Sequence, residues 1–190
     1  MNIEELVISA VGSQWKKDVK KIPLAQTDKA WNRERAIKGY VRLLRTFAPE
    51  LLDSEKPKRK ILDVSTGPGI FVEVLRSLGH EVTGTADLRS IYRGMHVSQA
   101  LKVEYFNLAE PVLPMEKKTF DYVFCIDKIN EYPTGWWEPL IKDFARVATK
   151  TVIVGFVYDG YFQNYGWEIR EWKLDFALTK VDTNVLRWDK

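Results

Sequence analysis

The chain has 190 residues, with 45% hydrophobic and 29% charged residues and a formal net charge of +3. That is enough for one real core and ordinary for a globular protein, which excludes fibrous, low-complexity and disulfide-scaffold classes. No apolar run nears the ~18 residues of a bilayer span, and Glu4 and Glu5 stand where a signal peptide carries positive charge.

We therefore expect one domain over 1–190 in the cytoplasm, without a membrane partner. The single cysteine, Cys125, lies in an apolar run and reads as a small buried hydrophobe. Two histidines and one cysteine, far apart, give no metal-ligand spacing. Charge is uneven: residues 15–60 hold 14 Lys/Arg against 6 Asp/Glu. Such a segment suits a solvated helix face, or contact with an acidic polymer.

In chain order, residues 1–14 read as a short amphipathic helix or arm. Residues 15–29 are polar and broken by Pro23. Over 31–48 the apolar stripe Ile37, Tyr40, Val41, Leu44 and Phe47 predicts a helix, capped by Asp28 and ended by Pro49. A charged connector, 54–60, leads into the strand Ile61–Ser65. The turn Ser65-Thr66-Gly67-Pro68-Gly69 follows, then a helix over Gly69–Leu78 ended by Gly79. Glu81–Ala86 is a second strand, Leu88–Ala100 a weak helix and Val103–Leu108 a third strand. Residues 109–119 form a proline-bearing loop. Phe120–Ile126 is a strong fourth strand, Glu138–Ala148 a helix and Thr151–Val157 a fifth strand. Residues 159–170 are aromatic and glycine-bearing. Trp172–Leu178 and Asn184–Trp188 read as two strands around a polar turn.

Strands alternating with helices predict an α/β fold, a Rossmann-like doubly wound, mostly parallel sheet with right-handed crossovers. Ligands of such sheets bind beyond the carboxyl ends of the strands. Four polar spots fall there: the turn after the first strand, Asp87, Asn107 and Asp127.

This array resembles the class I S-adenosylmethionine-dependent methyltransferases of small-molecule type, over about residues 58–158. That family's first strand commonly ends Asp-Val-Gly-Cys-Gly-Pro-Gly; here the run is Asp63-Val64-Ser65-Thr66-Gly67-Pro68-Gly69, with Ser65 in a glycine position. Its second strand usually ends Val-Thr-Gly-Val-Asp; here Val82-Thr83-Gly84-Thr85-Ala86-Asp87 is one residue longer. Phe106-Asn107-Leu108 stands for the third motif and Phe120-Asp121-Tyr122-Val123 for the fourth.

The resemblance implies a seven-stranded sheet ending in an antiparallel β-hairpin, N-terminal helices (an arm or cap over 1–57, a core over 58–190) and S-adenosyl-L-methionine as cofactor. It implies that Ser65, Thr66, Gly67 and Gly69 cradle the methionine part and that Asp63 helps anchor its ammonium. Asp87 would take the ribose hydroxyls, whose vicinal pair suits two carboxylate oxygens. Asn107 and the Leu108 N–H would meet the adenine edge, with Leu88, Phe106 and Ile126 about the ring. Asp127 or Lys128 would lie nearest the methyl group, and Glu131 is the candidate general base.

Each position also has a bland reading: Asp87 as a cap, Asn107 and Asp127 as turn residues, Glu131 as a solvated carboxylate. Trp136, Trp137, Tyr158, Tyr161, Phe162, Tyr165 and Trp167 would wall an acceptor pocket or pack the last elements. Trp15 and Tyr40 would reach the cofactor from the arm. The expected function is methyl transfer to a small-molecule acceptor by a monomer or homodimer. The alternatives are a methyltransferase of RNA or another acidic polymer, and a cofactor-binding protein without catalysis. With φ < 0 at Ser65 the turn would be tolerable and the hydroxyl free to bond the cofactor; with φ > 0 cofactor binding would be weaker, and Ser65→Gly would improve it.

Overall fold

A computed structural model describes residues 3, 5, 7–9, 33–126, 128–156, 174, 176–182 and 184–190. Its hydrogen-bonded strand order is β3-β2-β1-β4-β5-β7-β6, a seven-stranded sheet. The strands are β1 (Lys60–Asp63), β2 (Glu81–Ala86), β3 (Val103–Tyr105), β4 (Phe120–Ile126), β5 (Ala148–Gly155), β6 (Ala177–Val181) and β7 (Val185–Asp189). The helices are α1 (Arg33–Phe47), α2 (Ile70–Ser77), α3 (Arg93–Ser98) and α4 (Trp137–Val147). The chain divides into two compact units.

The first unit holds residues 1–58 and 66–105. Its α1 forms because Ile37, Val41, Leu44 and Phe47 recur at helical spacing and are buried, while Glu34, Arg35, Lys38, Arg42 and Arg45 are exposed. The Glu34–Lys38 ion pair, 2.7 Å at i,i+4, lies on the exposed face, where solvent screens it. Burial of the four apolar side chains, ~1.5–3 kcal/mol each, stabilises the helix far more. Tyr40 stacks on Phe71 of α2, centroids 4.7 Å apart. Pro49 ends α1 and opens the 3-10 turn Pro49–Leu51, whose Leu51 carbonyl lies 2.8 Å from His80 Nε2. β2 and β3 pair in parallel, Thr85 opposite Glu104.

The second unit holds 59–65 and 106–190. β1, β4 and β5 run parallel; β7 lies antiparallel to β5, and β6 antiparallel to β7. One register line crosses it: Leu62, Val123, Val152 and Trp188, all buried. Continuous apolar runs suit strands covered on both faces. α4 buries Leu140, Ile141, Phe144 and Val147 in the same core. Buried Asp143 accepts the Leu113 N–H at 2.8 Å and pairs with Arg146, which also donates to the Leu113 and Met115 carbonyls. This staples the loop before β4.

From residue 33 onward the expected elements that the described residues cover are present, most with shifted ends; the helix or arm expected over 1–14 falls mostly outside the described residues. The helix expected over Leu88–Ala100 is only Arg93–Ser98, because Asp87 first closes a turn. Its Oδ1 accepts the Arg89 N–H at 2.7 Å, and its carbonyl the Ser90 N–H at 2.9 Å. β3 stops at Tyr105 rather than Leu108. β5 begins at Ala148 rather than Thr151, because Ala148 already pairs with Phe120. β7 lies one residue later than expected, and β6 covers 177–181, sharing only Ala177 and Leu178 with the expected strand. Asp28, Trp15, the aromatic residues of 158–167 and Trp172 fall outside the described residues.

Candidate functional site

The turn after β1 is built from left-handed backbone. Ser65, Gly67 and Gly69 have φ of 59°, 56° and 86°. For the glycines this costs little; for Ser65 it costs roughly 1–2 kcal/mol. The serine hydroxyl offsets part of this, lying 2.9 Å from the Tyr132 hydroxyl within the second unit. Tyr132 is itself held, its carbonyl accepting from Trp137 Nε1 at 3.0 Å.

In the first unit the Thr66 N–H donates to the Thr85 carbonyl at 2.8 Å, and the Gly69 N–H to the Thr66 carbonyl at 3.1 Å. Thr66 is buried against β2, where a Cβ on Gly84 would overlap its Oγ1. Among the described residues, and its chain neighbours apart, a Cβ on Gly67 would meet no atom within 4 Å, so these residues leave that corner of the turn open. A Cβ on Gly69 would overlap Leu101 Cδ1, so the start of α2 packs closely on the residues after α3.

His96 of α3 is buried, with both ring nitrogens engaged: Nε2 lies 2.8 Å from the Gly67 carbonyl and Nδ1 2.8 Å from the Tyr105 hydroxyl. Burial holds its pKa below the ordinary imidazole value, against the raising effect of the Gly67 bond. The Arg93 guanidinium lies 4.7 Å from the Tyr105 ring centroid. Burial still raises the Tyr105 pKa, against the lowering effect of Arg93.

The remaining candidates sit as follows. Asp63 is buried at the end of β1; the residue is not without a partner, though its Oδ2 makes no hydrogen bond among the described residues. Asp87 and Leu88 are exposed, and Asp87 Oδ1 caps its own turn. Asn107 is exposed, while Phe106 and Leu108 are half-buried against the second unit's core. Ile126 and Lys128 are half-buried, and Asp127 lies outside the described residues. Glu131 is exposed and ion-paired with Lys128 at 2.5 Å.

Three features were not read from the sequence. The His96 bonds join residues 29 and 9 positions apart, the Ser65–Tyr132 pair spans 67, and the Thr66–Gly84 approach is a matter of packing. Only the second had a signal, a hydroxyl residue where the resembling family has glycine.

This strand order, parallel apart from the C-terminal antiparallel pair, is the class I methyltransferase fold. The chain is similar to the PH0226 protein of Pyrococcus horikoshii OT3, at 22% identity over 79% of this chain and 90% of that one, TM-score 0.55. It is also similar to magnesium protoporphyrin IX methyltransferase (ChlM) of Synechocystis PCC 6803, a structure with bound SAH, at 14% identity over 100% of both chains, TM-score 0.55. A putative sarcosine dimethylglycine methyltransferase of Galdieria sulphuraria matches at 17% identity over 68% of this chain and 54% of that one, TM-score 0.50. No family model and no curated protein matches the sequence. At these identities the likeness is one of fold.

Proposed function

We propose that the protein is an S-adenosylmethionine-dependent methyltransferase of a small-molecule acceptor. The observation that carries this reading is the turn after β1: left-handed at 65, 67 and 69, with no atom of the described residues beyond its chain neighbours where Gly67 would carry a side chain. Such a turn lets a ligand lie against backbone. The fold supports the same reading, as does the SAH bound in the ChlM structure.

Asp63, Ser65, Thr66, Gly67 and Gly69 would hold the aminoacyl part, Asp87 the ribose hydroxyls, Asn107 and Leu108 the adenine edge, and Leu88 the face of its ring. When bound, the cofactor supplies an electrophilic methyl group. The chain's part is to orient an acceptor atom about 3 Å from the methyl carbon, in line with the leaving sulfur, and to exclude water. Glu131 remains the candidate for taking the acceptor's proton, and Asp127 the candidate catalytic group nearest the methyl. Glu131 would first have to leave its ion pair with Lys128.

Calorimetry with S-adenosylhomocysteine tests the cofactor, and product formation over a panel of small acceptors tests the activity. Absence of binding sinks the reading. Tight binding without turnover favours a non-catalytic cofactor-binding protein. The exposed row Arg35, Lys38, Arg42 and Arg45 on α1 supports a second reading, methylation of RNA or another acidic polymer. Steeply salt-dependent RNA binding would favour it, and no binding at low salt would exclude it.

A further inference from the structure

His96 is 1% exposed, and its two partners do different jobs. The Gly67 carbonyl can only accept, so Nε2 carries the proton and donates to it. In the neutral ring Nδ1 then accepts from the Tyr105 hydroxyl. This makes a chain of polar contacts from the turn through α3 to the end of β3, all within the first unit.

We propose that His96 is a positioning residue for the cofactor turn, holding the Gly67 carbonyl so that the open face of Gly67 stays presented to the aminoacyl end of an adenosyl ligand. The proposal rests on the methyltransferase reading and adds a residue to it from outside the turn and strand-end motifs. The turn needs such a hold. Gly67 has a glycine's freedom in φ and ψ, and Pro68 leaves the peptide between them without an N–H. Fixing the carbonyl sets the ψ of Gly67.

The hold is also rigid. The Leu101 N–H donates to the His96 carbonyl at 2.8 Å, and Arg76 Nη1 of α2 reaches the Ala100 carbonyl at 3.2 Å. The His96 ring itself lies 3.5 Å from where a Gly69 Cβ would be. Helix α3 is thus tied to both ends of the turn–helix unit, and His96 is the tie that reaches Gly67.

The test is titration of the full chain with S-adenosylhomocysteine by calorimetry, with folding checked by thermal melts. A glutamine amide reaches where Nε2 lies, and an asparagine amide only where Nδ1 lies. His96→Asn should therefore lose affinity about tenfold, roughly the effect of one buried hydrogen bond. His96→Gln and Tyr105→Phe should stay within about threefold of wild type. Equal losses in the Asn and Gln variants, or none in either, would overturn the proposal.

NMR of the wild-type ring needs no substitution, should the Asn variant not fold. It should show the Nε2-protonated tautomer, with that proton exchanging more slowly once S-adenosylhomocysteine is added. An Nδ1-protonated ring, or exchange indifferent to the ligand, would refute the role. Wild-type protein that does not bind S-adenosylhomocysteine overturns the methyltransferase reading itself, and the role with it.

Discussion

The Ser65 and Tyr132 hydroxyls lie 2.9 Å apart, and this contact is made from a serine whose φ is 59°. A glycine would relieve the backbone and lose the contact; an alanine would keep the strain and lose the contact as well. Ser65→Ala should therefore be less stable than Ser65→Gly by about 1 kcal/mol in urea unfolding. If the left-handed serine also weakens the turn as a ligand cradle, Ser65→Gly should bind S-adenosylhomocysteine more tightly than wild type. Equal stability of the two variants would sink the strain argument.

Gly84 of β2 has no room for a side chain because Thr66 fills its Cβ position. Thr66 cannot retreat easily, since its N–H is bonded to Thr85 in the same strand. Gly84→Ala should cost about 1–3 kcal/mol, the usual range for overpacking. Thr66→Ala should recover part of that loss in the double variant, a coupling readable from a double-mutant cycle. Additive effects would show that the contact is not the cause.

Asp143 and Arg146 together hold the loop before β4. Removing the carboxylate leaves the Leu113 N–H buried without its acceptor. The Arg146 side chain is 36% exposed, so water compensates part of the loss. Asp143→Ala should cost about 2 kcal/mol, less than the 3–5 of a fully buried pair. Chemical denaturation measures it, and a cost under about 0.5 kcal/mol would refute the staple.

Folding should respond to pH in two windows. His96 has its pKa depressed in the folded state by burial. The unfolded chain then binds more protons just below the ordinary value of about 6.5. Stability should be full above that value and fall as pH drops from it toward the folded pKa. His96→Gln should flatten this slope. For Asp121 and Asp189 burial alone would raise the pKa. Hydrogen bonds outweigh it, from Lys150 and the Lys60 N–H to Asp121, and from Arg187, Thr179 and Thr151 to Asp189. Their contributions should be present above about pH 4 and be lost as pH falls through the depressed values. Thermal melts from pH 3 to 8 would separate the windows; a His96→Gln profile matching wild type near pH 6 would count against the first.

Asp87 distinguishes a ligand carboxylate from a turn cap. It is exposed and accepts from Arg89. Asp87→Ala should weaken S-adenosylhomocysteine binding by roughly 1–3 kcal/mol. It should shift the melting temperature of the free protein little, as an exposed cap adds about 1 kcal/mol or less. Unchanged affinity with lowered stability would make Asp87 a cap alone.

What the sequence by itself determined is local and periodic. Continuous apolar runs such as Phe120–Ile126 bury on both faces and make strands; the spacing of Ile37, Val41, Leu44 and Phe47 makes a helix; Gly67 and Gly69 make a turn. From these the alternation of strands and helices follows, and with it the class of fold. The tertiary structure alone decided the pairings between distant positions. No propensity in α3 says that His96 will reach Gly67, or that Thr66 will fill the place of a Gly84 side chain. These depend on side chains meeting across the packed unit, where burial makes each unmet donor or acceptor costly. It also decided Ser65: the residue type was legible in a glycine's place, but its left-handed backbone and its hold on Tyr132 are fixed by what lies 67 residues away.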